Sequence, residues 1–345
     1  MKAISKNDKI SQLKNILKKL QSNDSDPTVK KFCSIVHNEQ LFYEISKNIF
    51  DERPLVEEEH LIFLVFVSLQ YLTNFSYDNV YEITAQKVRT DLETHKTKIH
   101  WLCVNRNVST NIPKRYVGLQ IISSMLHSKY QQPLTIIDIG CSLGLGLMAL
   151  NTTFFEKHIT IDTKLLRYVR SKPAFRKVVG LDVQEPDLDW GLASYLPEAK
   201  KERKSVKYIY DYLNKNGSKF EMIRCNALEI KKIQELSSSI ADIVWISNTC
   251  YQVEGEVEDV IKGIGWLLKD GGLWLYAYYR HDIDEKITPE TNPYIVSVYR
   301  KDKDWAKKIN KGLQEFKQHG LEVLEAPNEL VDNIKLGRDY EKFNF

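Results

Sequence analysis

The stretch that decides the fold is residues 134–147, LTIIDIGCSLGLGL. It begins as a short β-branched apolar run, continues as a glycine-rich turn and ends in an apolar helical stretch. Strand, tight turn and helix in this order are typical of the carboxyl edge of an open α/β sheet, where such sheets bind ligands. The turn needs glycine because the backbone bends sharply and a ligand must approach without an intervening Cβ.

The chain after this stretch alternates between apolar runs and helical segments such as residues 257–269. This alternation predicts crossover units, and therefore a mostly parallel sheet with helices on both faces, an α/β fold of the Rossmann-like type. A second helical segment is predicted at residues 303–319. The later strands are predicted at residues 177–183, 220–225, 240–247, 272–279, 294–299 and 321–324.

The first third of the chain has a different character. Apolar residues at helical spacing, with lysines between them, predict amphipathic helices, and the apolar run at residues 61–72 predicts a buried helix. We therefore expect a helical N-terminal region over residues 1–117 and an α/β domain over residues 118–345. Residues 186–217 are too long for a simple crossover loop, and we expect a helical insertion there that covers the ligand cleft.

Composition places the chain of 345 residues among ordinary globular proteins, with a formal net charge of +3. Such a balance does not indicate a nucleic-acid partner. The five cysteines are dispersed, which argues against a disulfide framework and a cysteine zinc site, and no metal is expected. No signal-peptide pattern is evident, and the apolar run is shorter than the ~20 residues of a membrane span. These features predict a cytoplasmic protein that has no membrane partner.

The spacing of the glycine turn excludes two common nucleotide motifs. A dinucleotide fingerprint requires G-x-G-x-x-G, but the second and third glycines of that pattern are replaced by Ser142 and Leu145. A P-loop is excluded as well, because no Gly-Lys-Ser/Thr follows the turn. A nicotinamide-dependent oxidoreductase is therefore disfavoured.

An acid two residues before the first glycine, with further glycines at 144 and 146, resembles the first motif of class I S-adenosylmethionine-dependent methyltransferases. Later segments resemble the third, fourth and fifth strands of that superfamily in order, so the resemblance covers residues 134–280. It implies a seven-stranded type of sheet and S-adenosylmethionine as the cofactor. The residues that it implies as cofactor-binding are Asp138, Gly140, Ser142, Gly144, Asn226, Ala227 and Asn248.

A narrower resemblance concerns a bacterial and archaeal family of unknown function, which carries this core behind a helical N-terminal region. The segments that are similar to it include TNIPKR at residues 110–115 and GLDVQEPD at residues 180–187. The chain departs from that family in having Gly146 where Asn is frequent. The resemblance implies that Asn111 and Arg115 reach the carboxylate of the cofactor, which an arginine can bind in a fork.

Two acids compete for the ribose of the cofactor. Asp162 lies 22 residues after Gly140, close to the usual spacing of ~20. Asp182 lies 42 residues after Gly140, where the family resemblance places it, and it follows the longer apolar run. We favour Asp182, with residues 158–175 as an insertion.

The acceptor of the methyl group would lie beyond the fourth and fifth strands. Methyl transfer to a sulfonium-bound carbon is a displacement in line, so the enzyme chiefly orients the reactants and excludes water. Asn248 and Tyr251 have the spacing of the Asn-x-x-Tyr element that amine- and amide-directed methyltransferases use, but the prolines of that element are missing. The catalytic candidates are Asn248, Tyr251 and His281, with Glu254 and Tyr278 nearby.

The sequence is best interpreted as that of an S-adenosylmethionine-dependent methyltransferase with an unknown acceptor, for which a small molecule is favoured. The alternative is a non-catalytic cofactor-binding or interaction protein on the same fold, because a fold does not determine a function.

Overall fold

The computed structural model describes residues 6–22, 26–108, 113–158, 160–161, 163–247, 257–279, 294–301, 320–321, 323–325 and 333–336. The helices are α1 (Lys6–Ser22), α2 (Pro27–Val36), α3 (Gln40–Glu52), α4 (Glu58–Leu72), α5 (Ala85–Asn105), α6 (Val117–Tyr130), α7 (Leu145–Ala149), α8 (Phe154–His158), α9 (Thr163–Arg170), α10 (Leu188–Ala193), α11 (Lys200–Asn216) and α12 (Val257–Leu267). The strands are β1 (Leu134–Ile139), β2 (Thr160–Ile161), β3 (Phe175–Asp182), β4 (Glu221–Arg224), β5 (Ala241–Ser247), β6 (Leu268–Tyr279), β7 (Tyr294–Arg300), β8 (Gly320–Leu321), β9 (Val323–Glu325) and β10 (Asn333–Leu336).

The chain divides into two compact units that are not continuous in sequence. The helical unit comprises residues 1–110 and 187–207, and the α/β unit comprises residues 111–186 and 208–345. This division differs from a single boundary after residue 117, because the first part of the predicted insertion belongs with the N-terminal helices.

The helical unit is built around α4, in which most apolar side chains are buried, as expected for residues 61–72. Helix α2, earlier in the chain, is capped by Asp26, whose Oδ1 accepts hydrogen bonds from the backbone N–H groups of Thr28 and Val29. Such a side chain satisfies donors that the first turn of a helix leaves unpaired. Among the described residues, no helix has the length and apolar character that crossing a bilayer requires.

The segment 186–217 contains α10 and α11, and its first part completes the core of the helical unit. Asp187 caps α10 by accepting a hydrogen bond from the backbone N–H of Trp190 over 3.0 Å. The indole of Trp190 is buried with the side chains of α1 to α5, and its Nε1 donates to the carbonyl oxygen of Asn107 over 2.9 Å. Further along, the guanidinium of Arg203 binds both carboxylate oxygens of Asp78.

The α/β unit contains a seven-stranded sheet in the order β4-β3-β1-β5-β6-β7-β8. The first five strands in this order are mutually parallel, β7 is antiparallel to β6, and β8 is antiparallel to β7. The prediction of a mostly parallel, Rossmann-like sheet is confirmed. Residues 302–319, where a further helix is predicted, lie outside the described part of the chain.

The two faces of β1 point into different surroundings because successive side chains alternate along a strand. Ile137 and Ile139 pack in a cluster with Ile261 and Ile264 of α12. Asp138 points to the opposite face, where Tyr116 of the turn Pro113–Tyr116 lies. The predicted coverage of both faces is therefore confirmed around β1.

A second sheet contains β2, β10 and β9, with β2 parallel to β10 and β10 antiparallel to β9. The strand before Asp162 therefore belongs to this small sheet, whereas β3, which ends at Asp182, lies directly beside β1. Asp162 itself is outside the described residues.

Candidate cofactor site

The loop after β1 makes three left-handed turns of the backbone within five residues. The φ angles are +81° at Gly140, +52° at Ser142 and +70° at Gly144. Glycine adopts this conformation freely, but a residue with a Cβ pays about 1–2 kcal/mol for it. The loop is tied to the end of β3, because the backbone N–H of Gly140 donates to the carbonyl oxygen of Leu181 over 2.7 Å.

Asp182 holds the loop through its carboxylate. Its Oδ2 accepts a hydrogen bond from the backbone N–H of Ser142 over 2.8 Å, and its Oδ1 accepts one from the backbone N–H of Gln184 over 3.2 Å. Burial raises the pKa of Asp182, and these backbone hydrogen bonds oppose that rise because they favour the ionised form. The backbone N–H of Val183 also acts on this carboxylate, and since a carboxylate has about four acceptor positions, one remains for another donor.

Asp138 lies beneath the loop and is fully buried. Its Oδ2 accepts a hydrogen bond from the hydroxyl of Tyr116 over 2.7 Å, whereas its Oδ1 has no partner among the described residues. Burial raises the pKa of Asp138 to about 8, a rise that the Tyr116 hydrogen bond lowers and the charge of Asp182 increases. A neutral carboxyl group is therefore stable here near neutral pH.

Three glycines around the loop allow close packing inside the unit. A Cβ on residue 144 would lie 2.0 Å from Cζ of Phe220, and one on residue 146 would lie 2.1 Å from Cδ2 of Tyr116. Gly180 similarly faces Sγ of Cys141. At Gly144 and Gly146 the space that a Cβ would take is filled by aromatic rings, so these glycines have an architectural reason to be present.

The other predicted site residues differ in what the structure says of them. Arg115 is buried on the same turn as Tyr116. Asn226 follows β4 and is exposed, and its Oδ1 accepts from the backbone N–H of Leu228, which caps the turn that begins at Ala227. The following candidates lie outside the described residues, or, for Tyr278, have no described side chain: Asn111, Asp162, Asn248, Tyr251, Glu254, Tyr278 and His281.

Sequence analysis missed Tyr116 and Trp245, which enclose Asp138. Their ring centroids lie 5.4 Å apart, and Trp245 is the residue of β5 paired in register with Asp138. Nε1 of Trp245 is buried and has no partner among the described residues. Only Gly146 offered a hint, because its missing side chain leaves the space that the ring of Tyr116 occupies.

The electrostatic character of this edge is acidic. Asp138 and Asp182 stand on neighbouring parallel strands, and in the described part of the chain neither forms an ion pair with a basic side chain. Burial keeps the nearby thiol of Cys141 neutral by raising its pKa well above the usual value. The arrangement suits a ligand that brings positive charge and hydrogen-bond donors.

Solved structures with a similar fold include an arsenic(III) S-adenosylmethionine methyltransferase from Chlamydomonas reinhardtii, which is 17% identical, with 42% of this chain and 38% of that one covered and a TM-score of 0.25. A geranyl diphosphate C-methyltransferase from Streptomyces coelicolor is 17% identical over 45% of this chain and 44% of that one, with a TM-score of 0.23. The [4+2]-cyclase SpnF is 14% identical over 46% of this chain and 44% of that one, with a TM-score of 0.25.

The chain spans about half the length, or less, of the first solved structures that it matches. At these identities and TM-scores the matches carry no argument about activity, and the description of the α/β unit as Rossmann-like rests on its own strand order. No protein-family model matches the chain, and no curated protein is similar to it in sequence. The narrower resemblance to a family of unknown function therefore stays a prediction.

Proposed function

We propose that the protein binds S-adenosylmethionine at the carboxyl edge of β1 and β3 and transfers its methyl group to a small-molecule acceptor. The observation that carries the proposal is the pair of carboxyl groups, Asp138 and Asp182, with no ion pair to a described basic side chain. S-adenosylmethionine is positively charged at its sulfonium and its ammonium group. The carboxylate of Asp182 attracts such a ligand, and a nearby positive charge favours the ionised form of Asp138 over the neutral form that burial stabilises. A nicotinamide dinucleotide is disfavoured because Ser142 occupies the position where its fingerprint has the second glycine.

Asp182 is the residue that we expect to bind the ribose, since its carboxylate keeps an acceptor position after it has bound the backbone of the loop and of its own strand end. Asn226 and Ala227, which follow β4, are expected beside the adenine. Gly144 and Gly146 add no support, because their faces are filled by aromatic rings. Bound there, the cofactor supplies an electrophilic methyl group.

The part of this chain in the reaction is to orient the cofactor and to exclude water from it. A general base is required only if the acceptor arrives protonated. Asn248, Tyr251 and His281 stay the candidates for contacts with the acceptor, on the sequence argument alone.

Calorimetric titration of the purified protein with S-adenosylmethionine, S-adenosylhomocysteine and NAD tests the proposal. We expect binding of the first two, at least tenfold weaker binding by Asp182→Ala, and unchanged binding by the exposed control Glu235→Ala. Tighter binding of NAD than of S-adenosylmethionine would contradict the proposal and favour a dinucleotide-dependent oxidoreductase. A folded protein that binds none of the three ligands would contradict the proposal and indicate that the loop after β1 has a structural role alone.

A second candidate is a non-catalytic cofactor-binding or interaction protein on the same fold. The packing reason for Gly144 and Gly146 favours it, since these glycines need no ligand to explain them. The two candidates are separated by incubation of the protein with S-adenosylmethionine and a panel of small amine, thiol, hydroxyl and carboxylate compounds. Acceptor-dependent formation of S-adenosylhomocysteine supports the enzyme, and binding without turnover on any compound supports the alternative.

A further inference from the structure

Tyr116 is held on three sides at the base of the proposed site. Its hydroxyl donates to Oδ2 of Asp138 over 2.7 Å, and its ring lies 5.4 Å from that of Trp245. The third contact is with Gly146, where any side chain would meet the ring of Tyr116 within 2.1 Å. Packing therefore imposes the orientation of this hydroxyl, and in that orientation it donates to Asp138.

The carboxyl group that receives this hydrogen bond is poorly prepared to carry a charge. Asp138 is fully buried, and its Oδ1 has no partner among the described residues. An ionised carboxylate in such a place needs several donors or a nearby cation, and without them it takes up a proton. The raised pKa of Asp138, about 8, agrees with this geometry.

The groups that face Asp138 from each neighbouring element do not supply such a cation. Tyr116 faces it from the turn, Cys141 from the loop and Asp182 from β3, and the last of these disfavours a second negative charge. Trp245 faces it from β5 and does not titrate. The turn also carries Arg115, which is buried, and among the described residues no ion pair joins a basic side chain to Asp138.

We propose that Tyr116 is a positioning residue of this site, and that binding of a cationic cofactor releases a proton which Asp138 holds in the ligand-free protein. The O–H bond of the Asp138 carboxyl group breaks, the proton passes to the solvent, and the charge of the cofactor replaces it as the partner of the carboxylate. Tyr116 makes this release easier, because its hydrogen bond favours the ionised form. The inference rests on the proposed binding of S-adenosylmethionine.

Proton release has a direct signature in binding. Where the ligand-free carboxyl is protonated and the bound one is ionised, the affinity rises about tenfold for each unit of pH, and it levels off once Asp138 is ionised without the ligand. Loss of the Tyr116 hydroxyl raises the pKa of Asp138 in the ligand-free protein, because a hydrogen bond that lowers it is removed. The pH at which the affinity stops rising is therefore higher in Tyr116→Phe. The wild type and Tyr116→Phe should therefore differ about tenfold in affinity near pH 7 and converge above pH 9, because one pKa unit corresponds to a tenfold change.

The experiment is calorimetric titration with S-adenosylmethionine at pH 6, 7, 8 and 9, in pairs of buffers that differ in ionisation enthalpy. The difference between buffers counts the protons released, and S-adenosylhomocysteine, which lacks the sulfonium charge, should release fewer. Tyr130→Phe, which alters a half-exposed tyrosine of the same unit, serves as the matched control and should follow the wild type. Asp138→Asn should bind without proton release, and it decides the matter if Tyr116→Phe does not fold.

Two failures are distinguishable. Binding with no proton release, or a pH profile that Tyr116→Phe leaves unmoved while the affinity falls equally at every pH, overturns this inference and leaves the proposed cofactor in place. A folded wild type that does not bind S-adenosylmethionine at any of the four pH values overturns the proposed function and this inference with it.

Discussion

The backbone N–H of Ser142 donates a hydrogen bond over 2.8 Å to the carboxylate of Asp182, forty residues later in the chain. Ser142 has a φ of +52°, which a serine adopts only at a cost. The carboxylate at the end of β3 therefore stabilises an unfavourable backbone conformation in the loop after β1. The same acid that we expect to bind a ribose is also part of what shapes the loop.

Asp182→Ala should lower the free energy of unfolding by about 1–3 kcal/mol, because two backbone N–H groups lose their acceptor. Urea unfolding followed by circular dichroism measures this loss. Glu235→Ala, at an exposed position, should change the stability by less than about 0.5 kcal/mol. Equal stabilities of the two variants would show that the hydrogen bond to Ser142 contributes nothing to the fold.

Gly144→Ala should destabilise the protein far more than Gly271→Ala. Both glycines have a left-handed backbone, with φ of +70° at Gly144 and +78° at Gly271. A Cβ on residue 271 would meet nothing within 4 Å, whereas a Cβ on residue 144 would meet the ring of Phe220. Gly271→Ala should cost about 1–2 kcal/mol from backbone strain alone, and Gly144→Ala about 1–3 kcal/mol more from overpacking. Thermal unfolding of both variants provides the comparison.

The variant Phe220→Ala separates the two causes at residue 144. Combined with Gly144→Ala in one protein, it removes the ring that the new Cβ would meet. The loss of unfolding free energy in the double variant should therefore be smaller than the sum of the losses in the two single variants. Strictly additive losses would mean that the ring of Phe220 yields without cost.

Arg203 and Asp78 should be energetically coupled. The guanidinium donates to both oxygens of Asp78 and to the carbonyl oxygen of Tyr195, and little of its side chain is exposed. A double-mutant cycle with Arg203→Met and Asp78→Asn should give a coupling energy of at least about 1 kcal/mol, because each single change leaves a partly buried partner behind. Additivity within about 0.5 kcal/mol would class the pair with ordinary surface salt bridges.

Asp138 should make the ligand-free protein less stable as the pH rises. Its pKa of about 8 in the folded state lies above the ordinary value of 3.8, so the folded protein binds more protons than the unfolded chain between these values. The stabilising contribution of Asp138 is therefore fully present below about pH 4. It is lost as the pH rises towards 8, by at most about 1.4 kcal/mol for each pH unit. Asp138→Asn should lack this loss.

The comparison with Asp138→Asn also cancels an opposing contribution. Burial and the charge of Arg53 lower the pKa of His60 to about 4, so this histidine destabilises the folded protein as the pH falls from 6.5 towards 4. Both proteins share that contribution, and the difference between their stabilities isolates Asp138. A difference that is constant from pH 4 to pH 9 would contradict a raised pKa.

Much of the sheet could be predicted from sequence, because its strands are local apolar runs bounded by turns. The preference for Asp182 over Asp162 rests on the family resemblance and on the longer apolar run before Asp182, and the structure places that run beside β1. The contact of Tyr116 with Asp138 could not be predicted, since no spacing rule relates residues that only the tertiary fold brings together.

The glycine turn shows the limit of motif reasoning most clearly. Gly140 was expected for its backbone freedom, and its φ of +81° confirms that need. Gly144 and Gly146 were expected for the approach of a ligand, but they face the rings of Phe220 and Tyr116. A sequence pattern specifies that a side chain must be missing, and the three-dimensional neighbours decide what takes its place.

The discontinuity of the helical unit has a consequence for the order in which the chain is assembled. Trp190 and Ala193 belong to its buried core, yet the ribosome synthesises them only after β1 and β3. N-terminal domains commonly fold during synthesis, but here the first 110 residues lack part of their core until Trp190 is synthesised. A gene fragment that ends before Trp190 would encode a helical unit that lacks these core side chains. The core of the helical unit is completed only when a segment that follows β3 has been synthesised.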